Sequence, residues 1–212
     1  MIVIVDYGVG NLGSILNMLR KANADAMISG SPDDIQAARG LVLPGVGHFD
    51  HCARNLRASG LVPHIEKRVL GERIPLLGIC VGMQILARGS EEGSEPGLGW
   101  LPADVRRFSF EGKPSLPIPH MGWGDLEVVD DALFTPGESH RFYFVHSFHV
   151  VCDTSAPVAA WADYGGRFTA AVHSDVLFGT QFHPEKSHRH GLSLMRRFAD
   201  LVGERNGTPL QL

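Results

Sequence analysis

The stretch LLGICVGMQIL, residues 76–86, places a cysteine between two glycines where one apolar pattern gives way to another. The apolar run that begins at Leu76 is typical of a buried strand, and helical spacing follows over residues 81 to about 87. Glycines on both sides of Cys80 relieve crowding where a backbone bends sharply. The segment therefore predicts a strand-to-helix elbow that holds Cys80 clear of a sheet.

The first half of the chain alternates between strand-like and helix-like segments. Short apolar runs predict strands at about residues 2–5, 24–28, 41–43 and 75–79. Helical spacing or a helix start predicts helices over about residues 12–19, from residue 32 after a capping Ser31, over 49–56 and over 62–70. This alternation is typical of βαβ units, so we expect a mostly parallel central sheet with helices on both faces.

The second half has a different pattern. Strand-like runs separated by Gly and Pro occur at about residues 105–108, 126–129, 141–151, 158–162, 169–172 and 177–182. The stretch YGGR, residues 164–167, is typical of a hairpin turn, and a final helix is predicted over about residues 191–202. We therefore expect antiparallel strands added to the sheet. Because no repeat or linker interrupts the chain, we predict one α/β domain over residues 1–212.

Composition and charge argue against several classes of protein. The chain has 212 residues and 44% hydrophobic content, which is enough for one sizeable core. Its 19 basic and 23 acidic residues are mixed and give a net charge of −4, without the basic stripe that nucleic-acid binding needs. No apolar run is long enough to span a bilayer. We therefore expect no nucleic-acid partner and no membrane partner.

The start of the chain and its cysteines indicate the cellular compartment in which we expect the protein. The opening MIVIVDYG lacks the basic region and cleavage site of a signal peptide, so it is interpreted as a core strand. The three cysteines, Cys52, Cys80 and Cys152, are odd in number and far apart, which argues against a disulfide framework. We expect a cytoplasmic protein with reduced thiols.

The predicted elbow suits a nucleophile. A helix that begins at Val81 points its N-terminus at Cys80 and favours the thiolate, which is the reactive form of cysteine. The backbone N–H of Val81 is also placed to donate to an oxyanion. A small buried residue at a tight turn is the alternative explanation for Cys80, and the elbow alone does not decide between the two.

A proton carrier for such a thiolate is predicted in the stretch GTQFHPEKS, residues 179–187. His183 and Glu185 lie two apart, and in an extended segment such residues face the same side. Pro184 favours extended geometry in the residue before it. A carboxylate beside an imidazole fixes its tautomer, as in nucleophile triads. An ordinary ion pair in a loop is the alternative for this pair taken alone.

A third element is LPGVG, residues 43–47, where a predicted strand ends in a glycine-rich turn. Such a turn can aim backbone N–H groups into a cleft, as an oxyanion hole requires. Taken together, PGVG, GICVGMQ and GTQFHPEKS occur in an order and spacing that resemble the class I, or triad, glutamine amidotransferases. The resemblance covers nearly the whole chain and implies a flavodoxin-like α/β fold.

The resemblance implies roles for the matching positions. Cys80 is similar to the nucleophile of the family, His183 to its general base and acid, and Glu185 to the residue that orients the histidine. The positions that match the oxyanion hole are Gly45, Val46 and Val81. The positions that match the glutamine-binding residues are Gly47, Gln84, Glu92 and Ser147. The family needs neither a metal nor an organic cofactor.

Further motifs resemble one branch of the family, the glutaminase subunits of imidazole glycerol phosphate synthase. These motifs are DYGVGNLGS, PGVGHFD, SEEG, HMGW and YFVHSF, with Gly124 standing where the branch usually has Asn after HMGW. The resemblance implies hydrolysis of glutamine and transfer of ammonia to a (β/α)8-barrel cyclase partner in a heterodimer. Asn11, Trp123 and Lys186 are expected at that interface, with a helix cap as the alternative for Asn11, a packing residue for Trp123 and a solvated lysine for Lys186.

Several alternatives stay open from the sequence. The triad pattern also fits the glutaminase subunits of anthranilate or aminodeoxychorismate synthase and γ-glutamyl peptidases. Gly8, Gly10 and Gly13 satisfy the dinucleotide fingerprint G-x-G-x-x-G, although the next strand lacks the acidic residue that this fingerprint requires. The run His183, His188 and His190 lacks a recurring ligand spacing, so no metal site is expected.

Overall fold

The computed structural model describes residues 1–110 and 116–205. Twelve strands are formed in this part of the chain: β1 Ile2–Val5, β2 Ala26–Ser29, β3 Gly40–Gly45, β4 Leu76–Cys80, β5 Ala103–Arg107, β6 His120–Asp125, β7 Glu127–Val128, β8 Arg141–His146, β9 Phe148–Cys152, β10 Val158–Asp163, β11 Arg167–Ser174 and β12 Leu177–Thr180. The α-helices there are α1 Leu12–Lys21, α2 Pro32–Ala37, α3 Phe49–Ala58, α4 Val62–Glu66, α5 Val81–Gln84 and α6 His188–Arg205.

Eight of these strands form the central sheet, in the order β2-β1-β3-β4-β12-β11-β10-β7. The pairs from β2 to β12 are parallel, and the pairs from β12 to β7 are antiparallel. The parallel part has the flavodoxin-like order. Helices flank the sheet, with α1 packed against α6, α2 against α4 and α3 against α5. The predicted α/β class, with added antiparallel strands, is therefore confirmed.

The core strands are apolar because they are covered on both faces. Every residue of β1, β3, β4 and β12 is buried, as expected for strands of a parallel sheet between layers of helices. None of the helices in the described residues is long and apolar enough to cross a bilayer. The carboxyl ends of the parallel strands meet at one edge of the sheet, where ligands of open α/β sheets usually bind.

The structure corrects several predicted boundaries. The run over residues 141–151 divides at Ser147 into β8 and β9, which belong to two separate two-stranded sheets, β6-β8 and β5-β9. Strand β6 was not predicted, because the glycines of HMGWGD mask its pairing with β8. The helix predicted over 62–70 ends at Glu66 and continues as a π-helical turn, Lys67–Gly71. The last helix begins at His188, three residues before the predicted start.

Candidate active site

Cys80 lies at the junction of β4 and α5. Its φ of +54° and ψ of −113° fall in a region that residues with a side chain rarely adopt, and such a conformation costs about 1–3 kcal/mol. The surrounding packing imposes it. A Cβ on Gly82 would lie 2.9 Å from the carbonyl carbon of Leu43, and a Cβ on Gly78 would lie 2.8 Å from the backbone of Met83. The predicted elbow is confirmed, and both glycines are needed for its close packing.

The helix after the elbow is shorter than predicted. It ends at Gln84 instead of about Ala87, because the carbonyls of Ile85, Leu86 and Ala87 accept hydrogen bonds from the loop at residues 98–101. A single helical turn supplies little macrodipole. The helix-dipole argument for a Cys80 thiolate is therefore weaker than the sequence indicated, and the side chains around the sulfur become more important.

His183 and Glu185 form a buried pair beyond the carboxyl end of β12. The distance from His183 Nδ1 to Glu185 Oε1 is 2.9 Å, and the two side chains are 3% and 1% exposed. The segment Pro184–Lys186 is a 3-10 turn, so the predicted extended geometry applies only to His183. The turn brings the carboxylate back towards the imidazole. The turn is closed by Ser187, whose hydroxyl donates to the His183 carbonyl at 2.7 Å.

The charge on His183 follows from its partners. Burial alone lowers the pKa of His183, but hydrogen bonds to Cys80 and Glu185 outweigh burial and raise that pKa to about 9. Since Nδ1 is held by Glu185, the nitrogen available to Cys80 is Nε2. The structure therefore brings Cys80, His183 and Glu185 together in the order that a nucleophile triad requires.

The turn after β3 lies beside the elbow. Gly45 is paired with Cys80 in the sheet register, and a Cβ on Gly45 would lie 2.7 Å from the carbonyl carbon of Val81. Two side chains hold the turn by hydrogen bonds: the Tyr7 hydroxyl donates to the Pro44 carbonyl, and the Cys52 thiol donates to the Val46 carbonyl at 3.2 Å. All three positions predicted for the oxyanion hole are thus close to Cys80.

These elements surround one cavity of about 380 Å³, which is within the usual size range of small-molecule sites. Its lining includes Cys80, His183, Val46 and Val81, together with all four positions predicted to hold substrate: Gly47, Gln84, Glu92 and Ser147. Glu185 does not line the cavity and lies behind His183. One of its oxygens, Oε2, has no hydrogen-bond partner within residues 1–110 and 116–205.

Glu92 reaches the cavity on a loop that is tied to helix α3. Its Oε2 accepts from the backbone N–H of Phe49 at 2.9 Å, in the first turn of that helix. In the opposite direction, the Asp50 carboxylate accepts from the N–H groups of Ser94 and Glu95 at 3.1 and 3.0 Å. These reciprocal bonds fix the loop relative to the helix N-terminus, which favours carboxylates.

Sequence reasoning missed two polar residues of the site. Gln181 is fully buried, and its Nε2 lies 3.7 Å from Cys80 Sγ. His146 lines the cavity and bonds to the Phe148 carbonyl. The alternation in RFYFVH would have placed His146 on the buried face with Phe142 and Phe144. Gln181 left a weaker signal, a single amide between Thr180 and Phe182 just after the end of β12.

The glycine-rich turn after β1 is explained by packing. Gly10 has a φ of +111°, and a Cβ there would lie 2.8 Å from Pro44 Cβ, so the turn rests on the PGVG turn. Asn11 occupies the N-cap position of α1, is exposed, and makes no side-chain capping bond in the part of the chain that the structure describes. Among the same residues, no group of three or more His, Cys, Asp or Glu side chains could hold a metal ion.

The other two positions expected at an interface are also at the surface. Trp123 is 40% exposed on β6 and stacks on His188, with ring centroids 5.6 Å apart. Lys186 is exposed at the rim of the cavity. Met121, two residues before Trp123 on the same strand, is 62% exposed.

Comparison with known proteins identifies the class. The family model for glutamine amidotransferase class-I matches residues 3–201. A crystal structure titled as a glutamine amidotransferase superposes with a TM-score of 0.75 at 22% identity, covering 95% of this chain and 98% of that one. The chain belongs to the class-I glutamine amidotransferase family.

Curated relatives narrow the assignment to one branch of that family. The chain is 47% identical to imidazole glycerol phosphate synthase subunit HisH 2 of Pseudomonas aeruginosa over 204 residues, covering 95% of this chain and all of the relative. It is 45% identical to subunit HisH 2 of Methanococcus maripaludis, covering 93% and 98%. The branch is therefore that of the HisH subunits. The alternative subunits of anthranilate or aminodeoxychorismate synthase are not favoured, because these full-length relatives are HisH proteins.

Proposed function

We propose that this chain is the glutaminase subunit of imidazole glycerol phosphate synthase, a single amidotransferase domain that hydrolyses glutamine to glutamate and ammonia. The observation that carries the proposal is the position of His183, which bonds Glu185 through Nδ1 and interacts with Cys80 at the wall of one cavity. A thiol, an imidazole and a buried carboxylate in this order are suited to acyl transfer. The similarity to HisH subunits supports glutamine as the substrate.

In the first step, the Cys80 sulfur attacks the side-chain carbonyl carbon of glutamine, and a C–S bond forms. The resulting oxyanion is stabilised by backbone N–H groups of the elbow and the PGVG turn, near Val81, Gly45 and Val46. The loss of one such donor typically costs about 3–4 kcal/mol in barrier height. His183 then gives its proton to the leaving nitrogen, the C–N bond breaks, and ammonia departs.

In the second step, water hydrolyses the glutamyl thioester. Neutral His183 takes a proton from the attacking water, the C–S bond breaks, and glutamate leaves with the thiolate restored. Glu185 holds Nδ1–H throughout and stabilises the imidazolium each time it forms. His183 regains from the water the proton that it gave to the leaving nitrogen, and the second proton of the water leaves with the new carboxyl group, so these steps balance without a metal or an organic cofactor.

Four cavity residues are proposed to hold the glutamine substrate. Both hydrogens of the Gln84 amide have internal acceptors, the Phe148 carbonyl at 3.1 Å and Gln181 Oε1 at 3.0 Å. Gln84 therefore offers the substrate its oxygen, which accepts from an ammonium or amide group. The Glu92 carboxylate is suited to the same ammonium group, while Gly47 and Ser147 contribute to the walls of the cavity.

The proposal includes a (β/α)8-barrel cyclase as the heterodimer partner, which receives the ammonia and makes imidazole glycerol phosphate and aminoimidazole carboxamide ribotide in histidine biosynthesis. Asn11 and Lys186 both follow parallel strands at the carboxyl edge of the sheet, and Trp123 stacks on His188, two residues after Lys186 in the chain. Exposed Met121 and Trp123 supply apolar area of the kind found in interface cores. We expect a cytoplasmic setting, in keeping with three free cysteines.

The test compares two substitutions of the same kind in the assembled synthase. Cys80→Ala should abolish glutamine-dependent synthesis, whereas added ammonium salt should still support it. Cys152→Ala is the matched control, because Cys152 is also a free cysteine but lies on β9 and does not line the cavity. It should retain both activities. Glutamine-dependent synthesis by Cys80→Ala, or loss of both activities, would overturn the proposal.

A further inference from the structure

One backbone carbonyl sets the direction of a buried hydrogen-bond network beside the cavity. The Phe148 carbonyl oxygen lies 2.8 Å from His146 Nδ1 and 3.1 Å from Gln84 Nε2. A carbonyl can only accept, so both nitrogens must carry the hydrogen. His146 is neutral, because burial lowers its pKa to about 3, and its Nε2 therefore accepts from His120 Nδ1 at 3.2 Å.

The same constraint fixes the orientation of a second amide. Since Gln84 presents its NH2 group to Phe148, the group 3.0 Å away on Gln181 must be the oxygen, Oε1. The NH2 group of Gln181 then faces Cys80 Sγ, 3.7 Å from Nε2. Gln181 is fully buried, and its own backbone N–H donates to the Ala170 carbonyl at 2.8 Å. These hydrogen bonds therefore fix both the side-chain amide and the backbone of Gln181 in the orientation that faces Cys80.

We propose that Gln181 is a further catalytic residue of this site, whose Nε2–H donates to the Cys80 sulfur and stabilises the thiolate, with Gln84 and the Phe148 carbonyl fixing its direction. The inference rests on the proposed function, in which this sulfur is the nucleophile. A hydrogen bond to the charged form of a group favours that form, and bonds to ions are stronger than neutral ones.

Gln181 complements His183, because the two donors behave differently during the reaction. His183 gives up its proton to the leaving nitrogen, whereas the Gln181 amide is neutral at every working pH and keeps its hydrogens. It can therefore stabilise the sulfur both before attack and when the thioester breaks. Tyr7 and Cys52 also interact electrostatically with the sulfur, and a negative charge on either would oppose the thiolate. Three further ionisable side chains, Glu92, His146 and Lys186, line the same cavity as Cys80.

The test measures alkylation of Cys80 by iodoacetamide as a function of pH, in the full chain without glutamine. Gln181→Met keeps the length of the side chain and removes the donor. Thr180→Val is the control, since it removes a fully buried hydroxyl at the last residue of β12, which bonds the Phe182 carbonyl two residues further along the chain. Peptide mass spectrometry separates Cys80 from Cys52 and Cys152, which react slowly because burial raises the pKa of each to about 11.

We expect the pH of half-maximal alkylation of Cys80 to rise by about one pH unit in Gln181→Met, with a roughly tenfold slower reaction at neutral pH. Thr180→Val should match the wild type. Identical profiles for Gln181→Met and the wild type would overturn the inference. Because no glutamine is present, this outcome is independent of whether Cys80→Ala abolishes glutamine-dependent synthesis.

A second measurement needs no change at Gln181 and covers the case in which Gln181→Met does not fold. In ¹⁵N-labelled wild-type protein, one side-chain proton of Gln181 should move downfield as the Cys80 thiolate forms with rising pH. The same resonance should not move in Cys80→Ala. A Gln181 resonance that is insensitive to pH in the wild type, or that moves equally in Cys80→Ala, would refute the hydrogen bond.

Discussion

Replacement of Gly82 by alanine should damage both the stability and the chemistry of the protein. The new Cβ would lie 2.9 Å from the carbonyl carbon of Leu43, with the carbonyl oxygen closer still. Carbon atoms in contact are normally about 3.5–4.0 Å apart, so the two segments must separate by at least roughly 0.6 Å. Leu43 is paired with Gly78 in the centre of the sheet, so we expect the elbow to move.

The cost has two parts. Forcing an extra methyl group into a well-packed core typically costs about 1–3 kcal/mol, and we expect the upper end because both segments are backbone. Movement of the elbow also displaces Cys80 from His183. A misplacement of about 1 Å in an active site can cost roughly a hundredfold in rate.

The assay combines urea unfolding with the glutaminase rate of the assembled synthase. Gly13→Ala is the matched control, because Gly13 is exposed in α1 and a Cβ there would meet nothing within 4 Å. It should stabilise the protein by about 0.5–1 kcal/mol, since Gly is unfavourable in helices, and leave the rate unchanged. Wild-type stability and rate in Gly82→Ala, or equal losses in both variants, would refute this reasoning.

Two further predictions concern the groups behind the cavity. Glu185→Gln should lower kcat by roughly 10²–10⁴-fold, because the amide either supports His183 weakly or presents NH2 to Nδ1 and fixes the wrong tautomer. It should also lower the pKa of His183. Because the pKa of His183 is raised to about 9 in the folded wild type, protonation of His183 stabilises the fold fully below about pH 6.5, and this stabilisation is lost as pH rises through 9. The difference in unfolding free energy between wild type and variant should therefore shrink across that window, and a constant difference would contradict the assignment. Asp50→Asn should raise KM for glutamine about threefold to tenfold, since one lost bond to the carboxylate loosens the Glu92 loop. Exposed Asp33→Asn is its control, and an equal KM in both variants would argue against this role of the loop.

The sequence was informative where a function depends on a short contiguous segment. Cys80 could be placed on an elbow because β4, two glycines and the following turn are adjacent in the chain. His183 and Glu185 were recognised for the same reason, although a 3-10 turn and not an extended segment brings them together. Their catalytic roles remain predictions, which the Cys80 and Glu185 variants test.

Strand β6 shows where local patterns fail. Its sequence, HMGWGD, has poor intrinsic strand propensity because of Gly122 and Gly124, and it forms only through pairing with β8. The length of α5 was predicted wrongly for a related reason. Backbone N–H groups of the loop at residues 98–101 donate to the carbonyls of residues 85–87, and these bonds end the helix. In both cases a tertiary partner overrode the local preference.

The sequence by itself thus determined the α/β class, the mostly parallel sheet and the segments that carry the nucleophile and its proton carrier, because apolar periodicity and glycine spacing are local properties. Only the tertiary structure decided which polar atoms meet. Gln181, Gln84 and Phe148 come from three distant segments, and the direction of their hydrogen bonds follows from one carbonyl that can only accept. No local pattern encodes that constraint, since it exists only once the sheet has brought these segments to the same buried edge.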